Sequence, residues 1–200
     1  NLGLIGELGL LVRRRAFDQF RAWRRTHPGL TLSVNISKRQ LFATDFMSML
    51  LADVEEYGLD PHALVLEITE SVALMDVEFA EERLRQLAGA GFTLSIDDFG
   101  TGYASLSQLH ELPISELKID ISFVRRMHSE EGRRMTQGIV SMAQALRLRT
   151  VAEGVEDEAT AHVLRELGVD LLQGYHFSRP CPASELDGLP LLAGDAHRRS

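Results

Sequence analysis

Ten polar residues stand at or just beyond the C-terminal ends of short apolar segments, and their types suit the binding of divalent cations. Asn35 falls near the end of 30–36, Glu67 and Glu70 at the end of 64–68, and Asp97-Asp98 directly after 92–96. Lys118 and Asp120 close 117–120, Glu153 and Glu156 follow 149–152, and Gln173 lies in 171–177. Taken singly, each has a structural explanation. Asn35 could cap a turn, Asp97-Asp98 could tighten one, and Gln173 could be a satisfied core amide. Lys118, between apolar neighbours, could snorkel. Glu67 is harder to dismiss, because a carboxylate inside Leu-Val-Leu-Glu-Ile is costly unless paired. The same coincidence at six strand ends favours one shared site. Carboxylates gathered in one mouth repel or force protonation unless cations join them. Oxygen-preferring divalent metals answer that need, and Asn35, Glu67, Asp97, Asp98 and Glu153 are suitable ligands.

The elements that must position these residues follow from periodicity. Apolar residues at three- and four-residue spacing predict helices over 2–25, 40–57, 77–89, 130–146 and 157–167, with a short one near 104–110. Glu81 and Arg85 form an i,i+4 pair on the third of these. Between them lie strand-like runs at 30–36, 64–68, 92–96, 117–120, 149–152 and 171–177. Strict alternation of strand and helix predicts an α/β fold with a parallel sheet, either doubly wound or a barrel. In a (β/α)8 barrel all the polar strand ends converge on one face. Gly100-Thr-Gly102 is followed by Ser105, so it is no dinucleotide fingerprint, and no phosphate-loop sequence occurs.

Composition narrows the class. The chain has 200 residues, 44% hydrophobic and 25% charged, which fits one folded domain and excludes disorder as the main state. A net charge of −8 gives no global basic footprint for DNA or RNA. The single cysteine, Cys181, excludes an intrachain disulfide and a cysteine-built zinc site. The seven histidines include no i,i+4 pair, which leaves oxygen ligands as the metal chemistry. No apolar run is long enough to span a membrane, and a reducing cytoplasm is the expected location. Arg13–Arg15 with Arg21, Arg24 and Arg25 read as a solvated helix face, Met127, Met135 and Met142 as core, and His176 as structural.

Taken in order, the motifs resemble the signature of the EAL-domain cyclic di-GMP phosphodiesterases. They are Val-Asn35-Ile-Ser, Glu67-Ile-Thr-Glu70, Asp97-Asp98-Phe-Gly-Thr-Gly-Tyr, Lys118-Ile-Asp120, Ala-Glu153-Gly-Val-Glu156 and Gln173-Gly-Tyr. The resemblance runs from about residue 2 to 182, which implies a domain over 1–182 lacking its first two strands and a C-terminal tail over 183–200. It implies a TIM-like (β/α)8 barrel of the EAL type that hydrolyses cyclic di-GMP to the linear dinucleotide with Mg²⁺ or Mn²⁺. By motif, Asn35, Glu67 and Asp97 resemble ligands of one metal, and Asp97, Asp98 and Glu153 those of a second. Lys118 resembles the lysine that hydrogen-bonds the attacking water, Gln173 and Asp120 substrate-side residues, and Glu156 a supporting carboxylate. Glu70 resembles the glutamate that anchors the loop Phe99–Leu106, through which the family couples dimerisation to metal binding. A homodimer through that region, further signalling domains and a cytoplasmic site of action are the corresponding expectations.

The chain departs from the family pattern in lacking the namesake Glu-Ala-Leu segment, whose Glu is a metal ligand, together with an Arg of that segment. About six of eight barrel strands are predicted, so the chain is expected to be part of a longer protein. The piece alone is expected to be inactive until ~40–50 upstream residues complete the usual ~250-residue barrel. Ile121 stands where Arg is frequent in the family, and Ala104 where Ser is common. Two other classes compete with the hydrolase: a catalytically silent receptor for the dinucleotide, and an enolase-type enzyme with a lysine base and carboxylates on Mg²⁺. The adjacent Asp97-Asp98 pair suits two metals better than one and ranks the last reading lowest.

Overall fold

A computed structural model describes residues 4–73, 77–100, 102 and 106–186. Six strands form one parallel sheet: β1 (Leu32–Asn35), β2 (Leu64–Thr69), β3 (Thr93–Phe99), β4 (Glu116–Ile119), β5 (Arg149–Ala152) and β6 (Leu171–Leu172). Spatial order equals chain order, and every neighbouring pair is parallel. A doubly wound sheet reverses its strand order at a switch point. This one never reverses, so each strand is laid beside the last, as in a barrel. The result is a half-barrel, and the open alternative is excluded.

The helices are α1 (Leu4–Arg24), α2 (Lys38–Leu41), α3 (Phe46–Glu56), α4 (Glu70–Ala73), α5 (Val77–Gly89), α6 (Leu106–Glu111), α7 (Ile121–Val124), α8 (Glu130–Ala145), α9 (Glu158–Glu166) and α10 (Ala183–Leu186). Several start on sequence-encoded caps. Ser37 and Gln40 form a capping box for α2, Asp120 accepts from Ser122 N–H, Ser129 from Gly132 N–H and Asp157 from Thr160 N–H. The Ser37, Asp120 and Asp157 caps set first turns soon after β1, β4 and β5, which fixes where those strand-end residues stop, whereas Ser129 caps α8 after α7.

The sheet has two different faces. Leu64, Leu66, Ile68, Leu94, Ile96, Leu117 and Ile119 are fully buried in the layer shared with Leu84 and Leu87 of α5 and Val140 and Ala143 of α8. The alternate residues face the concave side, where a cavity of about 830 Å³ is lined by Ser33, Val65, Glu67, Glu116, Lys118 and Gln173 among others. Period-two alternation therefore separates an apolar helix side from a polar lumen.

Four expectations need correction, and one lies outside the described residues. The single helix over 40–57 is two helices, because Phe42 leaves the helical path to stack on Phe79 with ring centroids 5.2 Å apart. The strand over 171–177 stops at Leu172, because Gly174 packs on the backbone of Val155, where a Cβ would lie 2.1 Å from the carbonyl oxygen. Arg13 is not solvated. It is buried against α3, donating from Nε to Asp53 Oδ2 at 2.9 Å. Met135 is 42% exposed rather than core, while Met127 is buried as expected. The loop 99–106 falls largely on Thr101 and 103–105, outside the described residues, and so does the tail beyond Leu186.

Candidate metal centre

The centre is built on a bulge. Ile96 pairs with Leu117 and Phe99 with Ile119, so Asp97 and Asp98 together oppose Lys118. An unbroken strand would send neighbouring side chains to opposite faces. Here Asp98 adopts φ 55°, a left-handed conformation that Asp tolerates better than most residues. Both carboxylates reach the same site as a result. Asp97, Asp98 and Glu153 each offer an oxygen within 4.8 Å of the others.

Lys118 organises the rest. Its Nζ lies 3.0 Å from Glu67 Oε2, 3.0 Å from Asp97 Oδ1 and 2.6 Å from Glu153 Oε1, with the side chain 5% exposed. An ammonium has three protons, and all three find carboxylates. Burial alone would lower the Lys118 pKa. The hydrogen bond to Glu153, the charge of Glu67 and the bond to Asp97 outweigh it and hold the group above its ordinary value. Glu153 is pushed up chiefly by burial, with Lys118 opposing and Asp97 and Glu67 reinforcing the shift. Asp98 is likewise raised, first by burial and then by Asp97 and Asp120. One ammonium thus faces four acids, and burial, reinforced by the neighbouring carboxylates, keeps Glu153 and Asp98 reluctant to ionise. An oxygen-only set with excess charge fits hard divalent cations, so the residues present suit the group implied by the motifs.

The remaining candidates take separate places. Asn35 ends β1 beside Glu67, its partner in the register, and is exposed. Gln173 continues β6 through the bond from its N–H to Ala152 and lines the concave cavity with Lys118. Asp120 is the cap of α7, with its Oδ1 2.9 Å from Ser122 N. Glu156 is exposed and 3.9 Å from Arg125, in a second hollow of about 280 Å³ that also contains Glu153, Gln173 and Tyr175. Glu70, 3% exposed, accepts from Gly100 N–H at 3.0 Å and Gly102 N–H at 3.3 Å. A Cβ on Gly102 would come within 2.6 Å of that carboxylate, so glycine is required at this approach. The structure therefore brings Glu67, Asp97, Asp98, Lys118 and Glu153 into one cluster, with Asn35 and Gln173 at its margin. Glu70, Asp120 and Glu156 lie around it.

Sequence reasoning passed over Ser95, Glu116 and Arg149 on the same face. The signal was available, since Ser95 precedes Asp97 by two residues and Glu116 precedes Lys118 by two. Glu116 Oε2 accepts from Arg149 Nε at 2.8 Å. No helix among the described residues is long and apolar enough to cross a membrane.

Comparison with known proteins agrees with this geometry. The EAL domain family model matches residues 1–180. A bifunctional diguanylate cyclase/cyclic di-GMP phosphodiesterase of Pseudomonas aeruginosa, MucR, is 39% identical over 186 residues, 92% of this chain and 27% of its own length. The structure of the MucR phosphodiesterase in complex with cyclic di-GMP superposes with a TM-score of 0.89, covering 92% of this chain and 76% of that one. The EAL domain of Mycobacterium smegmatis DcpA gives 0.87 at 38% identity, covering 94% and 85% respectively. A manganese/cyclic di-GMP complex of Klebsiella pneumoniae BlrP1 gives 0.77 at 30% identity, covering 88% and 45%. The chain spans about a quarter of the length of the curated relatives it matches. With the family model, the sheet order and the acidic cluster in agreement, the chain belongs to the EAL domain family.

Proposed function

We propose that this chain carries the catalytic site of a cyclic di-GMP phosphodiesterase, which opens the ring to linear pGpG in bacterial cytoplasmic signalling. The observation that supports it best is the bulge that turns Asp97 and Asp98 together toward Lys118, with Glu67 and Glu153 completing an oxygen-rich centre. Mg²⁺ or Mn²⁺ held by Asn35, Glu67, Asp97, Asp98 and Glu153 supplies Lewis acidity and offsets the charge of a dianionic substrate.

The protein's own groups do the remaining work. Lys118 is held among three carboxylates, and as cations take up those oxygens one of its protons would be freed to hydrogen-bond the attacking water and orient it toward phosphorus. One phosphodiester P–O bond breaks as the new one forms, leaving a phosphomonoester and a free hydroxyl. Gln173 and Asp120 border the substrate, and Glu156 steadies the rim beside Arg125. Glu70 holds the Gly100 and Gly102 amides, and a homodimer through the region near 99–106 is part of the same proposal.

The test is hydrolysis of cyclic di-GMP by the protein at its natural length with Mg²⁺ or Mn²⁺, following pGpG by chromatography. Expected is metal-dependent pGpG formation that Lys118→Ala and Asp97→Ala each suppress. No turnover, or turnover indifferent to both substitutions, overturns the reading. Tight metal-free binding without turnover moves the assignment to a cyclic di-GMP receptor.

A further inference from the structure

One hydrogen-bonded row of the sheet runs Asn35, Glu67, Ser95, Glu116, Arg149 across β1 to β5. Neighbouring strands lie about 4.8 Å apart, so Ser95 stands directly between Glu67 and Glu116 on the concave face. Its Oγ is fully buried and is the one buried side-chain polar atom among the described residues with no hydrogen-bond partner. Both flanking carboxylates are themselves buried, at 6% and 3% exposure.

The bonding inventory of this trio is specific. Glu67 uses Oε2 for Lys118, and Glu116 uses Oε2 for Arg149. The Oε1 atom of each takes part in neither bond. Ionised carboxylates only accept, and one serine hydroxyl has one proton, so Ser95 can serve one neighbour but never both. A water molecule closes the set. It donates one proton to each carboxylate and accepts the Ser95 proton, giving the three bonds that a buried water normally makes.

We propose that Ser95 seats one structural water between Glu67 and Glu116, and that this bridge fixes the orientation of Glu67 as a metal ligand. Arg149 holds Glu116 from the far side, so the row acts as a brace running from the metal centre into the barrel. Ser95 and Glu116 are positioning residues, acting through Glu67 and touching neither substrate nor metal. This rests on the metal-dependent reading above. Partners that orient a ligating carboxylate are worth about 10- to 100-fold in metal affinity.

The test is a double-mutant cycle read by calorimetry with Mn²⁺ alone, on the protein at its natural length. Ser95→Ala and Glu116→Ala are each expected to weaken Mn²⁺ binding about tenfold. The double variant should be no weaker than the singles, because both remove the same bridge. Binding by Ser95→Ala equal to that of the parent overturns the proposal, as does a double variant that is additively weaker. An Asp97→Asn arm keeps the two readings apart. A parent that binds no Mn²⁺, or an Asp97→Asn variant that binds like the parent, overturns the metal reading and the brace with it. Loss confined to Asp97→Asn overturns the brace alone.

Discussion

Lys118 is the counter-ion of the acidic cluster and, in the proposed reaction, the group that orients the attacking water, so its removal should act twice. Lys118→Ala should lower kcat on cyclic di-GMP by about 10²-fold or more, measured under saturating Mn²⁺. It should also leave Glu67, Asp97 and Glu153 mutually repelling, so the metal-free variant should melt below the parent while Mn²⁺ narrows the gap. Glu70 makes a different prediction at the same scale. Glu70→Ala strands the Gly100 and Gly102 amides and should cost about 1–3 kcal/mol. Hydrogen exchange is the direct check, with those two amides exchanging faster and the β2 amides unchanged. Among these residues the sequence was eloquent where chemistry falls on strand ends, as at Glu67, Asp97 and Lys118. It was silent where a residue looked ordinary, and Ser95 within Leu-Ser-Ile reads as a strand residue and no more.

At the level of elements, helix α1 is tied to α3 by Arg13 and Arg14, which share Asp53. Asp53 is 2% exposed and Arg13 4%, so deleting the acid leaves a buried guanidinium without its counter-charge. Asp53→Ala should therefore cost about 3–5 kcal/mol in chemical denaturation, more than the Glu81–Arg85 surface pair on α5 contributes. A second element-level prediction concerns Gly174, where a Cβ would strike the Val155 backbone 2.1 Å away. Gly174→Ala should displace Gln173 and raise KM for cyclic di-GMP more than it lowers kcat. These cases also show why part of the fold was unreadable in advance. Helix α8 and strand β2 announce themselves through local periodicity. The Arg13–Asp53 contact spans 40 residues. The β3 bulge depends on register against β4, and the end of β6 depends on a backbone approach from the β5 loop. No local window of sequence contains those facts.

For the whole molecule, the proposed cation binding in the acidic lumen would couple stability to metal concentration. Mn²⁺ at 100 times its Kd should add about 2.7 kcal/mol, seen as a rise in Tm that chelation reverses. β1 and β6 each pair on one side only among the described residues, and a full barrel of this type runs to ~250 residues. Sequential strand order also bears on biogenesis. Because each of the six described strands neighbours the ones made just before and after it, these pairings can form in step with the ribosome. That order has an electrostatic price on the nascent chain: Glu67, Asp97 and Asp98 emerge before Lys118 does, so β4 brings this cluster its cation only after three of its acids have been made.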